Sequence, residues 1–197
     1  YRAMSMRRIA AECGMKLGNV TYYFPTRDDL MRALLDAVIQ SYQSEFDSIM
    51  DDEGVSPEQR LGDLCRLILE DIRSKQTTRL FPELWALANH DAFAAECVND
   101  LYARERVSLD LAVAAVNPGL SPARREMLVL WMSASMEGLT VFAGYEKPFE
   151  QRMPELIEIS IQGFIDLAKS LPDTPFGQYS ESFSANFARL NSAELKE

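Results

Sequence analysis

Gly14 and Pro25 stand eleven residues apart, and between them they leave room only for a turn and one short helix. The residue before a proline avoids the α region, so a helix entering Pro25 stops near Phe24. Glycine tolerates positive φ, so Gly14 suits the left-handed position that ends the preceding helix. The spacing predicts a helix over about Ser5–Cys13 with Ser5 as its N-cap, a turn at 14–16, and a second helix over about Leu17–Phe24. Ile9, Cys13, Met15, Val20 and Tyr23 are the apolar positions expected to turn inward, with Phe24 beside Tyr23. Ala10 is small enough for the place where the two backbones come closest. Two short helices crossing steeply through such a turn form a helix-turn-helix, the arrangement that sets a helix in the DNA major groove.

The charge distribution bears on that reading. The 197 residues carry a formal charge of −10, which alone argues against a polyanionic partner. Residues 1–27, however, hold Arg2, Arg7, Arg8, Lys16 and Arg27 against Glu12, a local +4. The remaining 15 basic and 29 acidic residues give −14. Fields of exposed charges are screened beyond about 10 Å at moderate salt, so the local sign governs phosphate contact. A basic head on an acidic body fits a DNA-binding protein with a separate sensing or partner domain.

Beyond the head, apolar residues recur at helical spacing and no alternating strand pattern or hairpin signal appears, so the chain is expected to be all-α. Thr26 should cap a helix whose first turn carries Asp28 and Asp29, and the stripe Leu30, Leu34, Val38, Tyr42, Phe46 extends it to about Met50. Further helices are expected over about 57–74, 80–89, 92–116, 121–143 and 154–170, separated by breakers such as Asn117-Pro118-Gly119. The division predicted is a head at 1–45, a ligand-binding and dimerisation body at 46–171, and a tail at 172–197. In the tail, Tyr179, Phe183, Phe187 and Leu190 are spaced for a short helix. The chain begins at Tyr1 close to the motif, so a supporting helix is expected upstream.

The last two body helices are apolar over more than one stripe, and a helix apolar on two faces must bury both. A second copy of the chain is the simplest cover, so a homodimer through a four-helix bundle is expected. The alternative is that they form the centre of a larger monomeric bundle. Cys13, Cys65 and Cys97 form no CxxC pair, which predicts reduced, mostly buried thiols, no metal site and a cytoplasmic protein. No membrane span and no signal-peptide pattern appear. No GxSxG, P-loop, HExxH or dinucleotide fingerprint is present, so neither an enzyme nor a cofactor is expected.

Residues 5–30 resemble the DNA-binding segment of tetracycline-repressor-like (TetR family) transcriptional regulators. The resemblance rests on Ile9-Ala10, Gly14, Met15-Lys16-Leu17-Gly18 and Tyr22-Tyr23-Phe24-Pro25-Thr26-Arg27-Asp28-Asp29-Leu30. It covers about the first 45 residues; the body matches in architecture rather than motif. Thr21 stands where many members carry tyrosine, so a hydroxyl replaces an aromatic there. The resemblance, with the geometry of the motif, implies that Ser5, Arg7, Lys16, Gly18, Asn19, Thr21, Tyr22 and Arg27 meet DNA. Asn19, Thr21 and Tyr22 would face the groove, Gly18 would admit the backbone, and Lys16 and Arg27 would hold phosphates. Ser5 serves equally as a phosphate contact or as a cap alone. It also implies a dimeric repressor released from its operator by a small-molecule effector, with half-sites roughly 34 Å apart or somewhat more. Trp85, His90 and Met132 are the effector contacts selected from the aromatic and methionine positions, most of which belong to core packing. The rival reading is an all-α small-molecule-binding module that does not bind DNA.

Overall fold

The computed structural model describes residues 5–173, and these form eight α-helices and one 3-10 turn, with no strand among them. The tail expected at 172–197 lies almost wholly outside the described residues, and the short helix expected through Tyr179 and Leu190 lies wholly outside them. The helices are α1 (Met6–Glu12), α2 (Leu17–Tyr23), α3 (Arg27–Met50), α4 (Pro57–Asp71), α5 (Lys75–Ala88), α6 (Ala92–Val116), α7 (Pro122–Ala143) and α8 (Met153–Ser170). The 3-10 turn, Glu150–Arg152, leads into α8.

Side-chain caps fix most of the starts. Ser56, Ser74 and Asp91 accept from the backbone N–H three residues on, at 3.1, 3.0 and 3.1 Å. Two boundaries differ from the periodicity. Helix α4 ends at Asp71 rather than near Ser74, and α5 begins at Lys75 rather than near Leu80. Ser74 is a cap, not a terminus, and Pro82 sits inside α5 because the carbonyl it leaves without an N–H is a single lost bond in a well-packed helix.

Helix α6 is the central strut and packs against α3, α4, α5, α7 and α8. The main core joins Leu61, Leu64 and Leu69 of α4, Leu109 and Val113 of α6, Met132 and Met136 of α7, and Ile157 of α8, all at 0–1 % exposure. Each such side chain contributes roughly 1.5–3 kcal/mol through burial. A smaller cluster joins Met31 and Leu35 of α3 to Leu84 of α5 and Cys97 of α6. It holds the head-proximal half of α3 against the body. Arg32 lies over the Phe93 ring at 4.5 Å on the same seam.

The α7–α8 corner is drawn tight by Gly144. A Cβ there would lie 2.6 Å from Thr78 Oγ1 and 2.8 Å from the Thr140 carbonyl. The same Thr78 hydroxyl donates to Ile72 O at 2.7 Å and accepts from Tyr145 N at 3.0 Å, which ties α5 to the corner. At the other end Asn117 donates to Ala168 O at 2.9 Å, and Asp173 accepts from Ser121 N at 2.8 Å.

Cys65 and Cys97 are buried and free, as expected, but Cys13 is exposed. It occupies the C-cap of α1, outside the helix face that meets α2. Burial raises the Cys65 thiol pKa above its ordinary value. Among the described residues no helix is long and apolar enough to cross a membrane.

Candidate nucleic-acid interface

The turn between α1 and α2 is a Schellman motif. Met15 N donates to Ala10 O at 2.8 Å and Gly14 N to Ala11 O at 3.1 Å, with Gly14 at φ 65°. A Cβ on Gly14 would meet nothing within 4 Å, so glycine is favoured there by conformation rather than by space. The turn places Ala10 and Val20 against each other's helices as the buried centre of the pair, at 2 % and 4 % exposure. Pro25 then breaks the chain, and Thr26 restarts it through a reciprocal capping box. Thr26 Oγ1 accepts from Asp29 N at 3.1 Å, and Asp29 accepts from Thr26 N at 3.0 Å. The Thr26 hydroxyl also donates to the Asp29 carboxylate at 2.7 Å, and this bond first, then the one from Thr26 N, holds the Asp29 carboxyl below its usual pKa.

This scaffold turns one face of α2 outward. Lys16 is the N-cap residue, exposed, and its side chain makes no capping bond. Gly18 and Asn19 follow on the exposed face, and a Cβ on Gly18 would meet open space. Among the described residues no packing therefore demands glycine at 18; an approaching surface would. Thr21 is exposed, but its hydroxyl lies 3.1 Å from Leu17 O and 3.3 Å from Gly18 O, so its proton is spent on the helix and its lone pairs face outward. Tyr22 is 80 % exposed. Arg7 is exposed on α1, Arg27 opens α3 half-buried, and Ser5 caps α1 by accepting from Arg8 N at 3.3 Å.

Two expectations about inward-facing residues are corrected. Tyr23 is 68 % exposed rather than in the core, and its ring meets Tyr22 edge-on at 5.1 Å between centroids. Met15 is exposed as well. A pair of seven-residue helices has only one shared seam, and Ala10 and Val20 fill it. Phe24, at the end of α2, is half-buried.

Residues 1–34 match the family profile described as bacterial regulatory proteins, tetR family. Residues 57–166, more than half the chain, match the BetI-type transcriptional repressor, C-terminal profile. The chain belongs to the TetR family of transcriptional regulators. No functionally curated protein matches it. Its fold is similar to the crystal structure of a TetR transcription regulator from Haloarcula marismortui ATCC 43049, with a TM-score of 0.64 and 21 % identity. That match covers 86 % of this chain and 88 % of the other. Its TetR-family domains make this chain a DNA-binding transcriptional regulator, a family whose members are typically not enzymes.

The body of this TetR-family chain contains a partly enclosed cavity. One wall is α3, through Ile39, Tyr42 and Phe46; the others come from α4, α5, α6 and α7. Tyr42 and Thr77 both donate to the Asp71 carboxylate, linking α3, α4 and α5. Glu105, 9 % exposed, accepts from Ser133 at 2.9 Å and is pushed up to about pKa 7 by burial. Glu137 is pushed up to about 8, by burial first and then by the charge of Glu105. It also borders a more open groove lined by Trp85 and Tyr102.

Of the three effector contacts expected from sequence, Trp85 lines that groove and donates to Tyr102 Oη at 2.9 Å. His90 is exposed in the turn between α5 and α6, and Met132 is fully buried in the main core. The structure does not bring these three together. Tyr42, Asp71, Glu105 and Glu137 were not expected at a cavity. The signal for Glu105 was its place in the stripe Leu101, Glu105, Leu109, Val113, where an acid interrupts apolar residues at i+4 spacing.

Proposed function

We propose that this chain is a homodimeric repressor that reads DNA through α2 and leaves it when a small molecule enters the body. The observation that carries the reading is the outward face of α2. Lys16, Gly18, Asn19, Thr21 and Tyr22 are all exposed there, and among the described residues nothing packed nearby requires Gly18. Asn19 offers a donor–acceptor pair suited to adenine, while Lys16, Arg7 and Arg27 supply positive charge for flanking phosphates. Ser5 acts through α1, whose start it caps.

Dimerisation is supported by the outer face of the last two helices. Met127, Leu130, Trp131, Val141 and Phe142 of α7 and Ile159 of α8 are all 47–62 % exposed. Gly138 and Gly163 on those helices have open space where a Cβ would stand, which permits close approach of another helix. A contiguous apolar surface of this kind marks an interaction site. The division into a head at 1–45 and a body at 46–171 follows from the same reading.

The test is selection of bound genomic fragments by the full chain, followed by titration of salt against the best fragment. Loss of Lys16 in Lys16→Ala should weaken all fragments alike and flatten the slope of log K against log salt by about 0.9 per head. An unchanged slope, or no selective enrichment of fragments, contradicts DNA reading by this face. It would favour the rival module that binds small molecules only.

A further inference from the structure

We propose that Gly18, Thr21 and Tyr22 form an apolar notch for the 5-methyl group of thymine, which makes Thr21 a specificity-determining residue. The proposal rests on the reading of α2 as the helix that enters the major groove, and names the base edge it selects. Gly18, Thr21 and Tyr22 stand at i, i+3 and i+4, so they are mutual neighbours on one helix face. All three are exposed. A helical side chain leans over the turn before its own Cα, so those of Thr21 and Tyr22 lean toward Gly18. Gly18 has no side chain to fill that place, and a Cβ there would meet nothing within 4 Å. Bare backbone therefore forms the floor, with a side chain on either side.

The chemistry of the walls decides what the notch admits. Thr21 Oγ1 lies 3.1 Å from Leu17 O and 3.3 Å from Gly18 O, so its proton belongs to the helix and none is left for the N7, O6 or O4 acceptors of a base. The oxygen and the methyl take different staggered positions on Cβ. With the oxygen turned back to the backbone, the methyl is the branch left to meet an approaching surface. Tyr22 offers its ring, steadied by edge-on contact with Tyr23 at 5.1 Å between centroids. Thymine is the base that presents a methyl in the major groove, and apolar contact with a threonine methyl is one way of reading it. Asn19 lies on the other flank of the exposed face, about 100° round the helix from Gly18, where its amide meets a polar edge instead. The face is thus divided, with an amide on one flank and a methyl on the other.

The experiment uses the full chain and the best fragment from genomic selection. Each thymine of the protected half-sites is replaced in turn by uracil, which lacks only the 5-methyl group. Fluorescence anisotropy at fixed salt gives Kd for the wild type, Thr21→Ser and Thr21→Val. Serine keeps the hydroxyl and loses the methyl; valine keeps a methyl and loses the hydroxyl. For the wild type, uracil at one thymine position should cost about fourfold per half-site, the worth of one buried methyl at about 0.8 kcal/mol. Thr21→Ser should bind the thymine fragment about fourfold more weakly per half-site and be indifferent to uracil at that position. Thr21→Val should keep both the affinity and the uracil penalty. Thermal melts confirm that the variants are folded, and the uracil scan of the wild type decides whatever they show. A selectively bound fragment in which every uracil is tolerated, or a uracil penalty equal in wild type and Thr21→Ser, overturns the notch and leaves DNA reading by α2 in place. Weaker binding by Thr21→Val with every uracil tolerated also overturns it, in favour of a hydroxyl that accepts from an adenine or cytosine amino group. Absence of any selectively bound fragment overturns the notch and the reading of α2 together.

Discussion

Glu105→Gln should make the protein more stable at pH 8 and abolish much of its pH dependence. The carboxyl is pushed from its ordinary value of 4.5 up to about 7, and the main cause is burial. An acid whose folded pKa is raised binds its proton more tightly in the native state. Its stabilisation is therefore full below pH 4.5 and is lost as pH rises through about 7. The shift spans 2.5 pH steps between those two values, which at ~1.4 kcal/mol each gives about 3 kcal/mol. Glutamine keeps an oxygen to accept from the Ser133 hydroxyl and carries no charge at any pH. Wild-type and variant should differ least near pH 5 and diverge toward pH 8, the variant then leading by about 3 kcal/mol. Urea unfolding followed by helical circular dichroism, at fixed protein concentration from pH 5 to 8.5, measures this directly. Some slope should persist in the variant, because Glu137 titrates in the same window. Parallel pH profiles for the two proteins, or a wild type that gains stability between pH 5 and 8 while the variant does not, would refute the assignment of Glu105 as a buried, unneutralised acid.

Three other substitutions probe the scaffold. Gly144→Ala forces a methyl to 2.6 Å from Thr78 Oγ1 and 2.8 Å from a backbone carbonyl, so the α7–α8 corner must shift; a loss of roughly 1–3 kcal/mol is expected in urea melts, and none would mean the corner is soft. Thr26→Ala removes the capping box at the start of α3 and should lower stability by about 1 kcal/mol, read as a drop in melting temperature that Thr26→Ser largely restores. Gly14→Ala places a Cβ in the left-handed region at φ 65° with no contact to relieve, and should cost roughly 1 kcal/mol and weaken binding to selected fragments. A Gly14→Ala head with unchanged melting and affinity would argue that the turn is not held in that conformation.

The parts of the fold that were legible are those decided within a few residues. Gly14, Pro25 and Thr26 each act through their own backbone, and α1 and α2 fall within a residue of their expected ends. Helix α6 runs over Ala92–Val116 as expected, because Asp91 caps it and Asn117-Pro118-Gly119 cannot continue it. Burial was less legible. Tyr23 and Cys13 are apolar residues at helical spacing, yet whether such a residue is covered depends on which element lies over it. Glu105 and Glu137 were harder still. In a chain with 30 acidic residues most glutamates are solvated, and only the packing of α6 against α7 distinguishes these two. Five of the eight candidate DNA contacts, Lys16, Gly18, Asn19, Thr21 and Tyr22, lie on one short helix and its N-cap, so a local motif is enough to nominate them. A ligand cavity gathers residues from five helices, and no local rule announces it.

Helix α3 is unbroken for 24 residues, from the capping box at Thr26 to Met50. Its head-proximal end follows directly on α2, while Tyr42 forms part of the cavity wall. At 1.5 Å per residue the arm from Tyr42 to Thr26 measures roughly 24 Å. A tilt of about 5° at the cavity end therefore carries the far end about 2 Å, close to the tolerance within which a side chain still reaches a base edge. The helix is a gear with a fixed ratio. Lengthening it by one residue would rotate the head by about 100° about the helix axis, so the length of α3 itself sets the direction in which the outer face of α2 points from the body.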